Sequence, residues 1–421
     1  MTVALNLPVQ HGAVHKLNSD GITVAFVSTY PPQECGIATY TQDLVHALEV
    51  HGYIKKAIVV AVSDGAYAYD HHVNFVIRKN NYEDYIIAAE FLNESDAQIV
   101  NIQHEFGIFG GNDGEFVIEL YRRLTKPIVT SLHTVLCDVD SLKKRITQLV
   151  AQYSKRLIVM NSIAFQLLSQ YYDIDLTKVT LIYHGAPDIP FGLKREAKKE
   201  LGLSGRTVLS TFGLINRGKG IEYAIQAMGE IVKHYPQTIY LIIGKTHPGV
   251  ARREGESYRA ELESLVDRLG LHEHVKFLNR YLTKGELIRY LCASDIYICP
   301  YISLNQIVSG TLAYAIAAGK AIISTPSFYA QEILAEGRGL LCEPCNPRSI
   351  AEKVISLLSN PDELEAMERR AYRFGRQMTW QAVAWDHERL FREVVACSHI
   401  LQAQLPSSDS LPIMPLAPAS G

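Results

Sequence analysis

Short runs of β-branched and aliphatic residues alternate with longer stretches of helical periodicity along almost the whole chain. That alternation admits few architectures, because strands separated by helices are laid down as parallel βαβ units. The predicted strands of the first half are 22–28, 56–62, 98–103, 127–132, 156–161 and 179–183. After a charged, Gly-containing stretch the pattern restarts at 207–213, 238–243, 275–278, 296–300 and 320–325. The segment Pro187–Leu193, with its Pro-Asp-Ile-Pro-Phe-Gly run, reads as the linker between the halves. The class is therefore α/β, two doubly wound parallel sheets facing a cleft, and 421 residues suffice for both. In such sheets ligands sit beyond the carboxyl ends of the strands, so the loops that follow the strands are where chemistry is expected.

Charge and composition remove several alternatives. Lys+Arg 41 against Asp+Glu 44 leaves a net charge of −3, which argues against nucleic-acid binding by bulk charge. No apolar stretch approaches the roughly 18 residues of a spanning helix. The first twenty residues lack a basic start followed by an apolar core, so a cytoplasmic address is expected. Seven scattered cysteines argue against a disulfide framework, and most are expected reduced and buried; Cys342-Glu-Pro-Cys345 has no second pair to complete a zinc site. Asp138-Val-Asp140 and Asp173-Ile-Asp175 have the form of a metal-binding acidic triplet, without nearby residues to supply further oxygen ligands. The Pro- and Ser-rich stretch after Leu405 is predicted disordered.

Three loops carry candidate chemistry. After the first strand, Gly36, Ala38 and Thr39 are small enough for the amides of a helix start to approach an anion, or they form a tight turn that binds nothing. After 207–213 comes Gly213-Leu-Ile-Asn-Arg217-Gly-Lys219-Gly220, whose two cations form either a diphosphate clamp or a solvated basic turn. Neither loop spells GxGxxG or GxxxxGK[ST]. After 296–300, Ser309, Gly310 and Thr311 open a small-residue helix with free N–H groups and hydroxyls suited to a phosphate or a sugar. Histidines recur directly after first-half strands, His104 (followed by Glu105), His133 and His184, and at least one is expected to work in the cleft.

Pro31–Thr41 with Gly36, the Gly213–Gly220 loop with Lys219, and the 309–319 helix followed by Thr325-Pro and Gln331-Glu332-Ile together resemble the retaining glycosyltransferases of family 4. The similarity runs from Ile22 to Val395 in matching order. It implies the GT-B fold: an extension at 1–20, a Rossmann-like acceptor domain at 21–190, a Rossmann-like donor-nucleotide domain at 191–374, a helix crossing back at 375–400 anchored by Trp380 and Trp385, and a tail at 401–421. Lys219, with Arg217, would hold the donor diphosphate. Gly36, Gly213, Gln306, Ser309, Gly310, Thr311, Tyr314 and Glu332 would surround the donor, and His133 would lie near the transferred sugar. His104, Glu105 and His184 would face the acceptor or the cleft.

Two positions depart from the family. Its paired glutamates, eight residues apart, are Gln306 and Tyr314 here, and its arginine after the loop glycine is Leu214, with Arg217 three residues later. The expected activity is transfer of a hexose from a nucleotide-diphosphate sugar, GDP-mannose ahead of UDP-glucose, to a hydroxyl of a saccharide or lipid-linked acceptor. No obligatory metal or cofactor is expected, and peripheral membrane contact is allowed. The substitutions leave two rivals, a non-catalytic sugar-nucleotide-binding subunit or sensor and a GT-B sugar-nucleotide epimerase.

Overall fold

The structure, a computed structural model, describes residues 21–137 and 140–404. The extension at 1–20, Asp138 of the first acidic triplet and the 405–421 tail lie outside those residues.

The first sheet contains β1 (Thr23–Ser28), β2 (Lys56–Ser63), β3 (Val73–Arg78), β4 (Ile99–His104), β5 (Ile128–Leu132), β6 (Arg156–Val159) and β7 (Val179–Leu181), in the order β3-β2-β1-β4-β5-β6-β7. The second contains β8 (Thr207–Phe212), β9 (Thr238–Ile243), β10 (Val275–Leu278), β11 (Ile296–Cys299), β12 (Ala321–Ser324) and β13 (Leu340–Leu341), in the order β10-β9-β8-β11-β12-β13. Every pairing is parallel. The central strands are buried on both faces, as helices on each side of a parallel sheet require. Sequence reading missed two edge strands for different reasons. β3 buries only Ile77 fully, so its apolar signal is weak, and β13 is two residues long.

Strand order reverses beside β1 in the first sheet and beside β8 in the second, and crevices open at such points. The loops there, 29–35 and 105–116 in one domain, 213–220 and 300–309 in the other, include all three candidate loops. The chain passes between domains twice, and the two passages bond to one another: Ala186 N–H donates to Met378 O at 2.7 Å and Trp380 N–H to Ala186 O at 2.9 Å. The helix Trp380–Gln404 then packs on the helix Gly36–Val50, and Trp380, Val383, Phe391 and Val394 join Phe26, Leu44 and Leu48 in one apolar cluster. Trp380 is buried, whereas Trp385 is 49% exposed and stands edge-on to Tyr53 of the first domain, 5.5 Å between ring centres.

All seven cysteines are free, but only Cys292, Cys299 and Cys342 are fully buried, fewer than expected. No described helix is long and apolar enough to cross a membrane.

Candidate active site

In the second domain three elements close on one point. The loop after β8 turns at Gly213 with φ +130°, where a Cβ would lie 3.2 Å from Thr311 Cγ2 and 4.0 Å from Lys219 Nζ. A side chain there would be strained by the backbone and crowded by both neighbours. Lys219 ends the short turn Arg217–Lys219, and its Nζ donates to Tyr301 Oη at 2.6 Å while lying 3.9 Å from the centre of that ring. Tyr301 Oη is 2.7 Å from Thr311 Oγ1, which is 3.2 Å from Ser309 Oγ. Ser309 caps the helix Gly310–Ala317, its hydroxyl accepting from Leu312 N–H. Among the described residues no carboxylate pairs with Lys219, and burial pushes its pKa down to about 8. An ammonium without a counter-ion beside the positive end of a helix dipole attracts anions strongly.

Arg217 does not join this group. Its guanidinium forms a fork with Glu261 at 2.7 and 2.5 Å and lies against the ring of Tyr258, with Glu254 3.8 Å away. Glu261 holds its pKa above the usual arginine value, and the side chain stays 53% exposed. Of the two cations expected to form the clamp, Lys219 joins the Tyr301–Thr311 group and Arg217 pairs with Glu261.

In the first domain the helix Gly36–Val50 begins differently. Cys35 at its N-cap makes no side-chain bond to it, the first turn holds no acid, and a Cβ on Gly36 would meet nothing within 4 Å. Among the described residues, therefore, no side-chain cap takes up its leading N–H groups.

The histidines separate into distinct environments. Asn101 Nδ2 donates to Val129 O, so its Oδ1 accepts from Gln103 Nε2, and Gln103 Oε1 accepts from His133 Nε2–H at 2.8 Å. This amide chain fixes the tautomer and leaves Nδ1 of His133 as an acceptor. Burial first, then the neighbouring His184, His104 and His387, push His133 down to about 3, so it is neutral at pH 7. His184 is also neutral, pushed by burial to about 4; its Nδ1–H donates to Gly185 O at 2.7 Å. The other side of the ring meets the second domain, since a Cβ on Gly310 would lie 3.0 Å from His184 Nε2. Tyr40 stands edge-on between His133 and His184, 5.0 Å from each ring, with Trp380 5.2 Å away. Sequence reading passed over Tyr40, which looks like one more apolar position of its helix. His104 packs against Phe106 and Phe109 and belongs to the domain's interior. Glu105 has its pKa raised by burial and accepts from Thr134 Oγ1.

The remaining expected donor residues are placed as follows. Gln306 is half-buried and its backbone O accepts from Tyr329 N–H. Tyr314 reaches across to Asp43 of the first domain, 3.2 Å from Oδ2. Glu332 accepts from Ser162 N–H at 2.7 Å and Ser162 Oγ at 2.8 Å, which ties it to the start of the first-domain helix Ile163–Tyr172. A cavity of about 610 Å³ lies beyond β2, β3 and β4, lined by Asp64, Lys79, Phe106, Phe109 and Asp113, with Arg252 contributed by the second domain. Asp70, His71 and His72 have ligand atoms close enough to share a cation. They precede β3, with the ring of His72 6.5 Å from that of Tyr30.

Comparison with known proteins defines the class first. The protein has the GT-B fold. It superposes on Anabaena HepE in complex with UDP and glucose with a TM-score of 0.71 and 15% identity, covering 88% of this chain and all of that one. Residues 194–374, the second domain, match the family described as glycosyl transferases group 1. Among relatives, the D-inositol 3-phosphate glycosyltransferase of Segniliparus rotundus is 25% identical over 287 residues, 62% of this chain and 60% of that protein, so less than two thirds of its length is spanned. Spore coat protein SA of Bacillus subtilis is 22% identical over 269 residues, 61% of this chain and 70% of that one. The family match and the named relatives support glycosyl transfer as the class of activity.

Proposed function

We propose that this protein is a retaining glycosyltransferase that moves a hexose from a nucleotide diphosphate to an acceptor hydroxyl, in the cytoplasm, without an obligatory metal. The observation that carries the reading is the unpaired Lys219 ammonium. It sits with Tyr301, Thr311 and Ser309 at the start of the Gly310 helix, beside the β8 switch point. As the glycosidic bond to the donor breaks, the diphosphate gains negative charge while the sugar becomes oxocarbenium-like. Fixed donors that meet the growing charge lower the barrier, and Lys219 with the amides of the Gly310 helix is suited to that role. Arg217, engaged with Glu261, takes a minor part in this reading.

In this reading His133, buried, neutral and held by Gln103, serves as a hydrogen-bonding group for the sugar. Retention rests on the family resemblance: the departing phosphate oxygen takes the proton from the acceptor hydroxyl on the same face. The cavity beside Asp64 and Lys79, polar and charged with two phenylalanines, suits a saccharide acceptor. HepE, the neighbour solved with UDP and glucose, makes UDP-glucose a donor to test beside GDP-mannose.

The deciding experiment follows nucleotide release and sugar incorporation from UDP-glucose and GDP-mannose, with and without acceptors, in buffer containing EDTA. D-inositol 3-phosphate, named for the relatives, is one acceptor to include. Acceptor-dependent transfer that survives EDTA supports the reading. Donor conversion without acceptor favours an epimerase, and binding without turnover favours a sensor.

A further inference from the structure

One buried charged contact between the two domains lies outside the three candidate loops. Asp43, on the Gly36 helix, is 3% exposed. A carboxylate that deeply buried must be paired, and both of its partners come from the other domain. Tyr314 Oη donates to Oδ2 at 3.2 Å, and the Lys284 ammonium, from the helix Lys284–Ala293, meets Oδ1. Among the described residues no side chain of its own domain bonds to that carboxylate.

The placement of this contact along the two helices matters. Asp43 follows Gly36 by seven residues and Tyr314 follows Gly310 by four, spacings that return to the same face of an α-helix. With a rise of about 1.5 Å per residue, the bond lies roughly 10 Å behind one helix start and 6 Å behind the other. A second bridge joins the same helices nearer their starts: Tyr40 packs on His184, and the ring of His184 packs on Gly310. Two sets of side-chain contacts thus join the two helices, one near their starts and one a turn or two behind them.

We propose that Asp43 is a positioning residue, which through Tyr314 and Lys284 sets the gap between the Gly36 and Gly310 helix starts so that one diphosphate is held by both. Opening the cleft would leave the carboxylate and the ammonium to water and break the phenol bond together, so closure and donor binding are coupled. The diphosphate part rests on the function proposed above, while the control of domain separation does not.

The test compares wild type with Asp43→Asn and Tyr314→Phe, singly and combined. Domain separation is read by small-angle scattering and by a spectroscopic distance between labels on the two domains, and affinity by calorimetry with UDP and GDP. Both single variants are expected to populate a wider separation. The nucleotide that wild type binds should bind at least about 30-fold more weakly to Asp43→Asn, as when one partner of a buried charged pair is removed. The combined variant should be little worse than Asp43→Asn, because both substitutions break one contact. In turnover the loss should fall on the donor KM more than on kcat.

Unchanged separation in both single variants overturns the proposal, as does an opened cleft with undiminished nucleotide affinity. If Asp43→Asn folds poorly, Tyr314→Phe, which removes one hydroxyl, gives the same reading. Wild type that binds neither nucleotide overturns the functional reading and the diphosphate part with it. The distance measurement then still decides whether Asp43 governs closure.

Discussion

The two switch points are built from the same strand–loop–helix unit, yet they equip their helix starts in opposite ways. The Gly310 helix begins with a hydroxyl cap, a Lys219–Tyr301–Thr311 chain and an unpaired ammonium. The Gly36 helix begins uncapped, with open space above its first glycine and a floor of neutral imidazoles beside it. Beside the two helix starts, the second domain places the Lys219 ammonium and the first the rings of Tyr40, His133 and His184. Such a division suits a reaction in which one domain must neutralise a leaving group while the other presents a neutral hydroxyl.

Lys219→Ala breaks that contrast most severely. We expect kcat/KM for the donor to fall by about 10²–10³, the loss typical of one removed donor in an electrostatic site. Unchanged turnover with the working donor would falsify the assignment. His133→Ala comes next, with transfer reduced by about 10² while nucleotide affinity, measured by calorimetry, stays near wild type, because under the proposed function the imidazole serves the sugar and not the diphosphate.

A pH titration sharpens the comparison without mutation. Lys219 has its pKa lowered to about 8, so the charged form, which under the proposed function binds the diphosphate, is present below that value and lost above it. Donor kcat/KM should therefore fall as pH rises through about 8. The buried imidazoles at about 3 and 4 stay neutral, and no limb from them should appear between pH 5 and 7.

Gly310→Ala tests the contact between domains. Its methyl would lie 3.0 Å from His184 Nε2, and we expect a donor KM raised about tenfold, partly restored by His184→Ala. Arg217→Ala should have the smallest effect, within about fivefold in kcat/KM, because exposed pairs contribute only ~0–1 kcal/mol. A loss matching that of Lys219→Ala would show that Arg217 leaves Glu261 when the donor binds.

Much of this architecture is legible from the amino acids because parallel strands buried on both faces leave nearly continuous apolar runs. β1, β8 and β9 announce themselves in that way, whereas β3, mostly exposed at an edge, does not. The glycine-flanked loop around Lys219 and the small-residue start at Ser309–Thr311 are also visible, since local backbone demands select those residues. Arg217 shows the limit of such reading: two positions from Lys219, it finds Glu254 and Glu261, on two successive helices some forty residues later. Glu332 and Tyr314 likewise look like donor contacts along the chain and turn out to bond across the cleft. Asp43 gave no signal at all, because a single acid on an amphipathic helix resembles any solvated position.

The sequence alone determined the number and type of elements, the two parallel sheets and the loops that end at their switch points. Those features depend on hydrophobic periodicity and on turn chemistry, which act over a few residues. The tertiary structure alone decided which cation of the 213–220 loop pairs with a carboxylate, how the tautomer of His133 is held and that the partners of Asp43 come from the other domain. Each of these depends on burial and on partners tens to hundreds of residues away, and the energy of a charge is set by the surroundings that folding assembles.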